Sequence, residues 1–405
     1  MLPAVVVLHF DKIYDYLTGL GRRHKTFRVL MGFRYEIYTC DPEVVEHIPS
    51  SNFHGYDKSW YDYETMEALL VDGIFLVNGS KWLHQRKLSS RHFSTRFLRD
   101  YSGSIFKTNA TKLAEVISDA AASGEPVDVQ RRYSKLRFNV QLSYVQGSDK
   151  EGAEFTWAFD ESSALIVWRI VNPLWRLERF LIYVYKMIHA KISKGQEQAD
   201  ILSRFLQDRA EDPTKMSLKY LRDIILSFVI AGKDTTVGTL SWFFYMLCMH
   251  PSVLEKMYRE VETVVGEAEA EAEAELSFGG FAGRITEKMN YLRAALSETL
   301  RLYPARPLIN VLRSRQAPQW FDVRGGEVIF FQPNDAEDFR PERWLDEDGV
   351  FRHESPYKFT AFQELAYRQM TIFPVVLRFF AVKLADEKRA VEYKTVLVVI
   401  SNTLK

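Results

Sequence analysis

A chain of 405 residues with 53 Lys+Arg against 53 Asp+Glu, and a pI near 7.1, has no charge excess with which to hold nucleic acid or an anionic membrane. Its 47% hydrophobic and 14% aromatic content can fill a sizeable core, and its length admits two or three domains or one large helical one. Only two cysteines occur, Cys40 and Cys248, which argues against a disulfide scaffold or a cysteine-built zinc site and for a reducing compartment.

The apolar start, Leu2 to Leu8, contains a proline and runs into His9 and Asp11, far short of the roughly 20 residues of a spanning helix. As written, the chain is expected to be soluble. Asp11 to Lys25 carries Ile13, Tyr16, Leu17 and Leu20 on one helical face, and Phe27 to Thr39 turns to strand-like alternation. Asp41-Pro42 opens a helix from Glu43 to Ile48. Residues 1–60 thus read as a small sheet region.

A basic helical stretch begins at Trp82 and continues through Arg86, Lys87, Arg91 and Arg96. Trp82 and Arg86 share a face and can together donate to one anionic group, or they are a solvated face with a cation stacked on an aromatic ring. Asn109 to Ala122 reads as a helix stopped by Gly124-Glu125-Pro126, and Gly147 to Gly152 as a polar loop. Ala164 to Val171 and Phe180 to Ile192 are helical and rich in large aromatics, which suits either a lining for an apolar substrate or ordinary core packing.

Leu218 to Met249 predicts one long helix, capped by Ser217 and stopped by Pro251. Its flanks are apolar nearly all round and its centre, Ala231-Gly232-Lys233-Asp234-Thr235-Thr236, is polar. Gly232 lets a flat cofactor approach the backbone, Thr235 and Thr236 can bond back to carbonyls a turn earlier, and Asp234 beside them suggests a proton relay. A core helix with a tolerated glycine stays open as the alternative.

Val253 to Val265 forms an amphipathic helix, and residues 266–283 contain the Glu-Ala run of a low-complexity surface insert, helical or disordered. Met289 to Leu302 is a patterned helix with Glu298 and Arg301 three apart, and Phe339-Arg340-Pro341-Glu342-Arg343-Trp344 offers Arg343 to complete a buried Glu-Arg-Arg cluster. Ile372 to Leu377 reads as a core helix and Val396 to Ile400 as a core strand.

Trp82-x-x-x-Arg86, Ala231-Gly232-x-Asp234-Thr235-Thr236, Glu298-x-x-Arg301 and Phe339-x-Pro341-Glu342-Arg343, in this order, resemble the cytochrome P-450 superfamily of haem-thiolate monooxygenases. The wording around them looks most like the plant fatty-acid omega-hydroxylase branch. The resemblance implies a single domain over 1–405, mainly α with a small β region, in the P-450 fold truncated by several internal deletions. It implies haem iron, an apolar small-molecule substrate, electrons from an NADPH-dependent reductase, a monomer, and the cytosolic face of the endoplasmic reticulum, with the N-terminal anchor absent here. Carried over by motif, Trp82 and Arg86 would hold a haem propionate, and Ala231 and Gly232 would line the oxygen pocket. Asp234 and Thr235 would deliver protons, Glu298, Arg301 and Arg343 would form a structural cluster, and the basic face at Lys87 and Arg91 would meet the reductase.

The resemblance also calls for a cysteine in a Phe-x-x-Gly-x-Arg-x-Cys-x-Gly loop. This chain instead reads Phe359-Thr360-Ala361-Phe362-Gln363-Glu364-Leu365-Ala366-Tyr367-Arg368, with no cysteine after Cys248. His353 or Tyr357 can ligate iron, but neither supplies the electron push of a thiolate. The stretches Phe138 to Glu154 and Pro307 to Asp335 are also shorter than the pattern, the latter too compressed for the usual sheet and helix. Three readings follow: an active hydroxylase whose written sequence lacks exons, an inactive remnant that at most binds apolar ligands, or an unrelated helical scaffold.

Overall fold

The computed structural model describes residues 12–31, 34–51, 53–58, 60–92, 114–128, 162, 217–270, 288–304, 309–313, 328–331, 338–359, 380–386, 393–394 and 400–401. The aromatic-rich helices expected between 164 and 192, the short stretch 138–154, most of the low-complexity insert, the helix at 372–377 and residues 360–368 lie outside these.

Helix α1 (Ile13–Arg23) buries Leu17 against Val29 and Tyr38 of the hairpin β1 (Thr26–Met31) and β2 (Arg34–Thr39), where Phe27 and Tyr38 stack at 5.4 Å. Asp41 accepts the Glu43 amide at 3.1 Å and so caps α2 (Pro42–Glu46), with Pro42 in its first turn. The helical path then widens to a π turn at His47–Ser51 and ends before β3 (Tyr56–Asp57).

The sheet is not confined to residues 1–60. Its order is β1-β2-β5-β4-β3, with β4 (Ile309–Arg313) and β5 (Val328–Phe331) drawn from the stretch that looked too compressed to hold a sheet. Short apolar runs are enough, because β5 pairs with β2 and with β4 across only four residues each, and β4 with β3 across two. Glu36 to Thr39 run parallel to Val328 to Phe331, while β4 is antiparallel to both β5 and β3. Held between β1 and β5, β2 has Glu36, Ile37, Tyr38 and Thr39 all buried, as a strand covered on both faces should.

α3 (Trp60–Leu70) and α4 (Gly79–His92) follow, then a helical stretch at 114–123 that ends at Gly124, whose φ of +69° favours glycine. α5 (Leu218–Met249) runs for 32 residues, roughly 48 Å, with Ser217 Oγ accepting the Tyr220 amide at 3.2 Å. α6 (Pro251–Ala270) carries the helical path into the first Glu-Ala repeats, and α7 (Asn290–Leu302) packs beside it. Phe243 and Leu247 of α5, Met257 and Val261 of α6, and Leu292 and Leu296 of α7 meet in one apolar core in which none is more than 1% exposed. Two short strands, β6 (Tyr393–Lys394) and β7 (Ile400–Ser401), pair near the C-terminus.

Candidate functional site

Glu298 lies on the inner face of α7 with no solvent exposure, and five donors converge on its carboxylate. Arg301 gives Nε to Oε2 at 2.8 Å and Nη2 to Oε1 at 2.9 Å; Arg343 gives Nε to Oε1 at 2.9 Å. The Arg340 amide reaches Oε1 and the Trp344 indole N–H reaches Oε2, each at 2.9 Å. Burial pushes the Glu298 carboxyl up, but Arg301, the Arg340 amide and Trp344 outweigh it and hold the group below its ordinary range. Arg301 and Arg343 also reach the Asp338 carbonyl. The three residues singled out in the sequence thus come together, and the arrangement joins α7 to the 3-10 turn Pro341–Trp344. Sequence reasoning assigned no part to Trp344 or the Arg340 amide. The indole stood inside the quoted motif, but a backbone donor leaves no mark in a sequence.

Along the middle of α5, Thr235 Oγ1 donates to the Ala231 carbonyl at 2.6 Å, as expected for a threonine bonding back one turn. Ser227, Thr239 and Ser241 make the same bond to Asp223, Thr235 and Val237. The Thr235 proton is therefore committed to the helix, and its oxygen is left as an acceptor. Gly232 and the Asp234 backbone lie within the helix; the Asp234 side chain lies outside what the structure describes.

Trp82 and Arg86 are one turn apart on α4. The Trp82 ring, half-buried, lies 5.4 Å from Phe53 and has Lys58 Nζ 5.4 Å from its centroid, while Arg86 is exposed. α4 is tied to α5 through His84 Nδ1 and the Tyr220 hydroxyl, 2.6 Å apart, roughly 16 Å along the helix from Ala231 at 1.5 Å per residue. A cleft of about 700 Å³ lies next to this region, walled by Asp57, Lys58, Tyr63, Asp72, Asn78 and Lys81. It is not lined by the motif residues.

A thiolate-bound haem requires an ionised sulfur. Cys248 is half-buried near the end of α5, and burial pushes its thiol up to about 11, so it is protonated at neutral pH. Cys40 sits at the end of β2, with its thiol donating to the Lys25 carbonyl at 3.2 Å. Neither sulfur lies in the stretch 359–368, where the family resemblance calls for the ligand, and Trp82 and Arg86 keep the spacing for an anionic group.

Against known proteins, the family model described as Cytochrome P450 matches residues 2–161 and 166–364. Cytochrome P450 704C1 of Pinus taeda is 37% identical, with 98% of this chain and 88% of the relative covered. Cytochrome P450 704B1 of Arabidopsis thaliana is 32% identical, with 92% and 86% covered. The first alignment runs over 459 positions, so at least 54 have no counterpart in a chain of 405. A crystal structure of a cytochrome P450, CYP102L1, superposes with a TM-score of 0.75 at 18% identity over 98% of this chain and 94% of that one, a likeness of fold. With a mainly helical fold, a small sheet and a family match across most of its length, the chain belongs to the cytochrome P450 family of monooxygenases, whose members carry haem iron and use a redox partner.

Proposed function

We propose that this chain descends from a hydroxylase of fatty-acyl or similar apolar chains, and that the polypeptide of this sequence does not carry out thiolate-dependent monooxygenation. The observation that carries the reading is the stretch Phe359 to Arg368, which holds no cysteine where the family resemblance calls for one; the family match ends at residue 364, inside it. The places of Cys40 at the end of β2 and Cys248 near the end of α5, both far from that stretch in the sequence, support the same reading. On this reading Glu298, Arg301 and Arg343 are a structural cluster, and Trp82, Arg86, Ala231, Gly232, Asp234 and Thr235 are the inherited walls of a single-domain cofactor and oxygen site. The complete enzyme would take electrons from an NADPH-dependent reductase at the endoplasmic reticulum, and this chain at most binds an apolar ligand.

A second reading has its own support: the 459 and 452 aligned positions of the two relatives exceed the chain, which is what omitted exons produce. Sequencing the transcript across Phe362-Gln363-Glu364 separates the two. A message that matches the chain, together with purified protein lacking the red-shifted carbonyl band of a thiolate-ligated ferrous haem, is the expected result. An in-frame insert encoding the cysteine loop would overturn the first reading and restore the hydroxylase.

A further inference from the structure

The segment between α3 and α4 is held more tightly than a short connection requires. The residue after α3, Val71, has φ +44°, a left-handed conformation that is strained for a β-branched side chain. Its amide still donates to the Glu67 carbonyl at 2.8 Å. Two residues on, Gly73 is pressed against α5. A Cβ there would overlap Ser227 Oγ and lie 2.9 Å from the Leu70 carbonyl oxygen and 3.2 Å from that of Asp223. Lys58 Nζ pins the loop by donating to the carbonyls of Ile74 at 2.6 Å and Val77 at 2.7 Å, and Gln85 Nε2 donates to that of Asp72 at 2.8 Å.

The side chain of Asp223, whose backbone carbonyl faces Gly73, is 1% exposed. Its Oδ1 takes both Nε and Nη2 of Arg222, at 2.6 and 2.5 Å, while its Oδ2 has no hydrogen-bond partner. A buried carboxylate with one oxygen unsatisfied disfavours its own negative charge. Burial raises the proton affinity of Asp223 most; Asp72 adds to the rise, and Arg222 and Lys219 oppose it. Among the described residues, the charged and titratable groups around this joint also include Lys81 of α4 and Tyr63 of α3 on the Asp72 carboxylate, Lys58 on the Ile74 and Val77 carbonyls, Asp57, Glu64 and Glu67 on the cleft wall, and His84 with Tyr220 one turn earlier on α5.

We propose that residues 71–77 form a strained clamp on α5 that stays shut while Asp223 is neutral and loosens when Asp223 becomes negatively charged. Opening lets water reach Oδ2, a gain that grows once the charge is present, and lets Val71 leave its strained conformation, a gain that is the same at every pH. The closed clamp binds the Asp223 proton more tightly than the open one. Its stability is therefore greatest at low pH and is lost as pH rises from the ordinary carboxylate value of 3.8 through the higher value of the closed state. Because Asp72, Leu76 and Asn78 wall the 700 Å³ cleft, loosening alters entry to it. The inference goes beyond the proposed function and is independent of whether haem binds.

Hydrogen exchange of the amides in 70–78, measured on the full chain between about pH 4 and pH 7 and corrected for intrinsic exchange, tests it. Protection is expected to fall by about tenfold as pH rises, and Asp223→Asn should flatten that profile. Gly73→Ala should lower protection by about tenfold at every pH, with part of the loss recovered in Gly73→Ala/Ser227→Ala. An Asp223→Asn profile that tracks the unsubstituted chain overturns the role of the charge. Unchanged protection in Gly73→Ala overturns the clamp; should that chain fail to fold, Lys58→Met, which removes the pins on Ile74 and Val77, applies the same criterion.

Discussion

Removing the Glu298 carboxylate would strip five donors of their acceptor and leave the Arg301 guanidinium, 9% exposed, without its counter-charge. Glu298→Ala is therefore expected to destabilise the fold by about 3–5 kcal/mol, read from the denaturant midpoint. Because the native carboxyl is held below its ordinary value of 4.5, the stability it contributes is present above 4.5 and is lost as pH falls from there through the lower value of the native state. The acid limb of a stability-pH profile should accordingly be shallower in Glu298→Gln than in the unsubstituted chain. Two members of this cluster were legible in the sequence because residues three apart on a helix face the same way. Arg343 was legible only as a candidate, since nothing local fixes a turn against a helix 45 positions away. The Trp344 indole, which reads in a sequence as core filling, turned out to be a donor to a buried charge.

At the scale of elements, helix ends were read well where the signal was local. Ser217, a run that no proline interrupts and Pro251 gave α5 the bounds it has, Leu218–Met249. α7 is different: the residue preceding it, Met289, makes no side-chain cap, and Glu260 from the middle of α6 takes that part. Its Oε1 accepts the Tyr291 amide at 2.7 Å and its Oε2 the Leu292 amide at 2.8 Å, satisfying donors that an open first turn leaves exposed. Glu260→Ala should lower stability by about 1–2 kcal/mol, with faster amide exchange confined to the first turn of α7. No capping pattern adjacent to the helix could have announced this. β4 and β5 escaped for a similar reason, being short apolar runs whose partners are set by the rest of the chain.

For the whole molecule, the segment that follows residues 360–379 remains attached to the helical core. The Tyr258 hydroxyl on α6 donates to the Phe380 carbonyl at 3.1 Å and accepts the Val382 amide at 3.4 Å, and both side chains pack against that core. Tyr258→Phe removes both bonds and should make the 380–386 segment several-fold more susceptible to limited proteolysis, with little change in global unfolding. A chain from which at least 54 aligned positions are absent thus keeps its C-terminal part docked. That the family could be read from ordered motifs follows from their places on long helices and a tight turn, the elements least disturbed by deletions between them.

The parallel pairing of β2 with β5 sets an order on synthesis. Glu36 to Thr39 leave the ribosome early, while their partners Val328 to Phe331 are made only after some four-fifths of the chain. During that interval one edge of the β1-β2 hairpin carries unpaired amides and carbonyls beside the apolar side chains of Ile37 and Tyr38. Such an edge is open to pairing with another nascent chain. Slower elongation between residues 40 and 328 would lengthen that exposure, and a holdase that covers extended apolar segments would have its first use at the start of this protein rather than in its helical core.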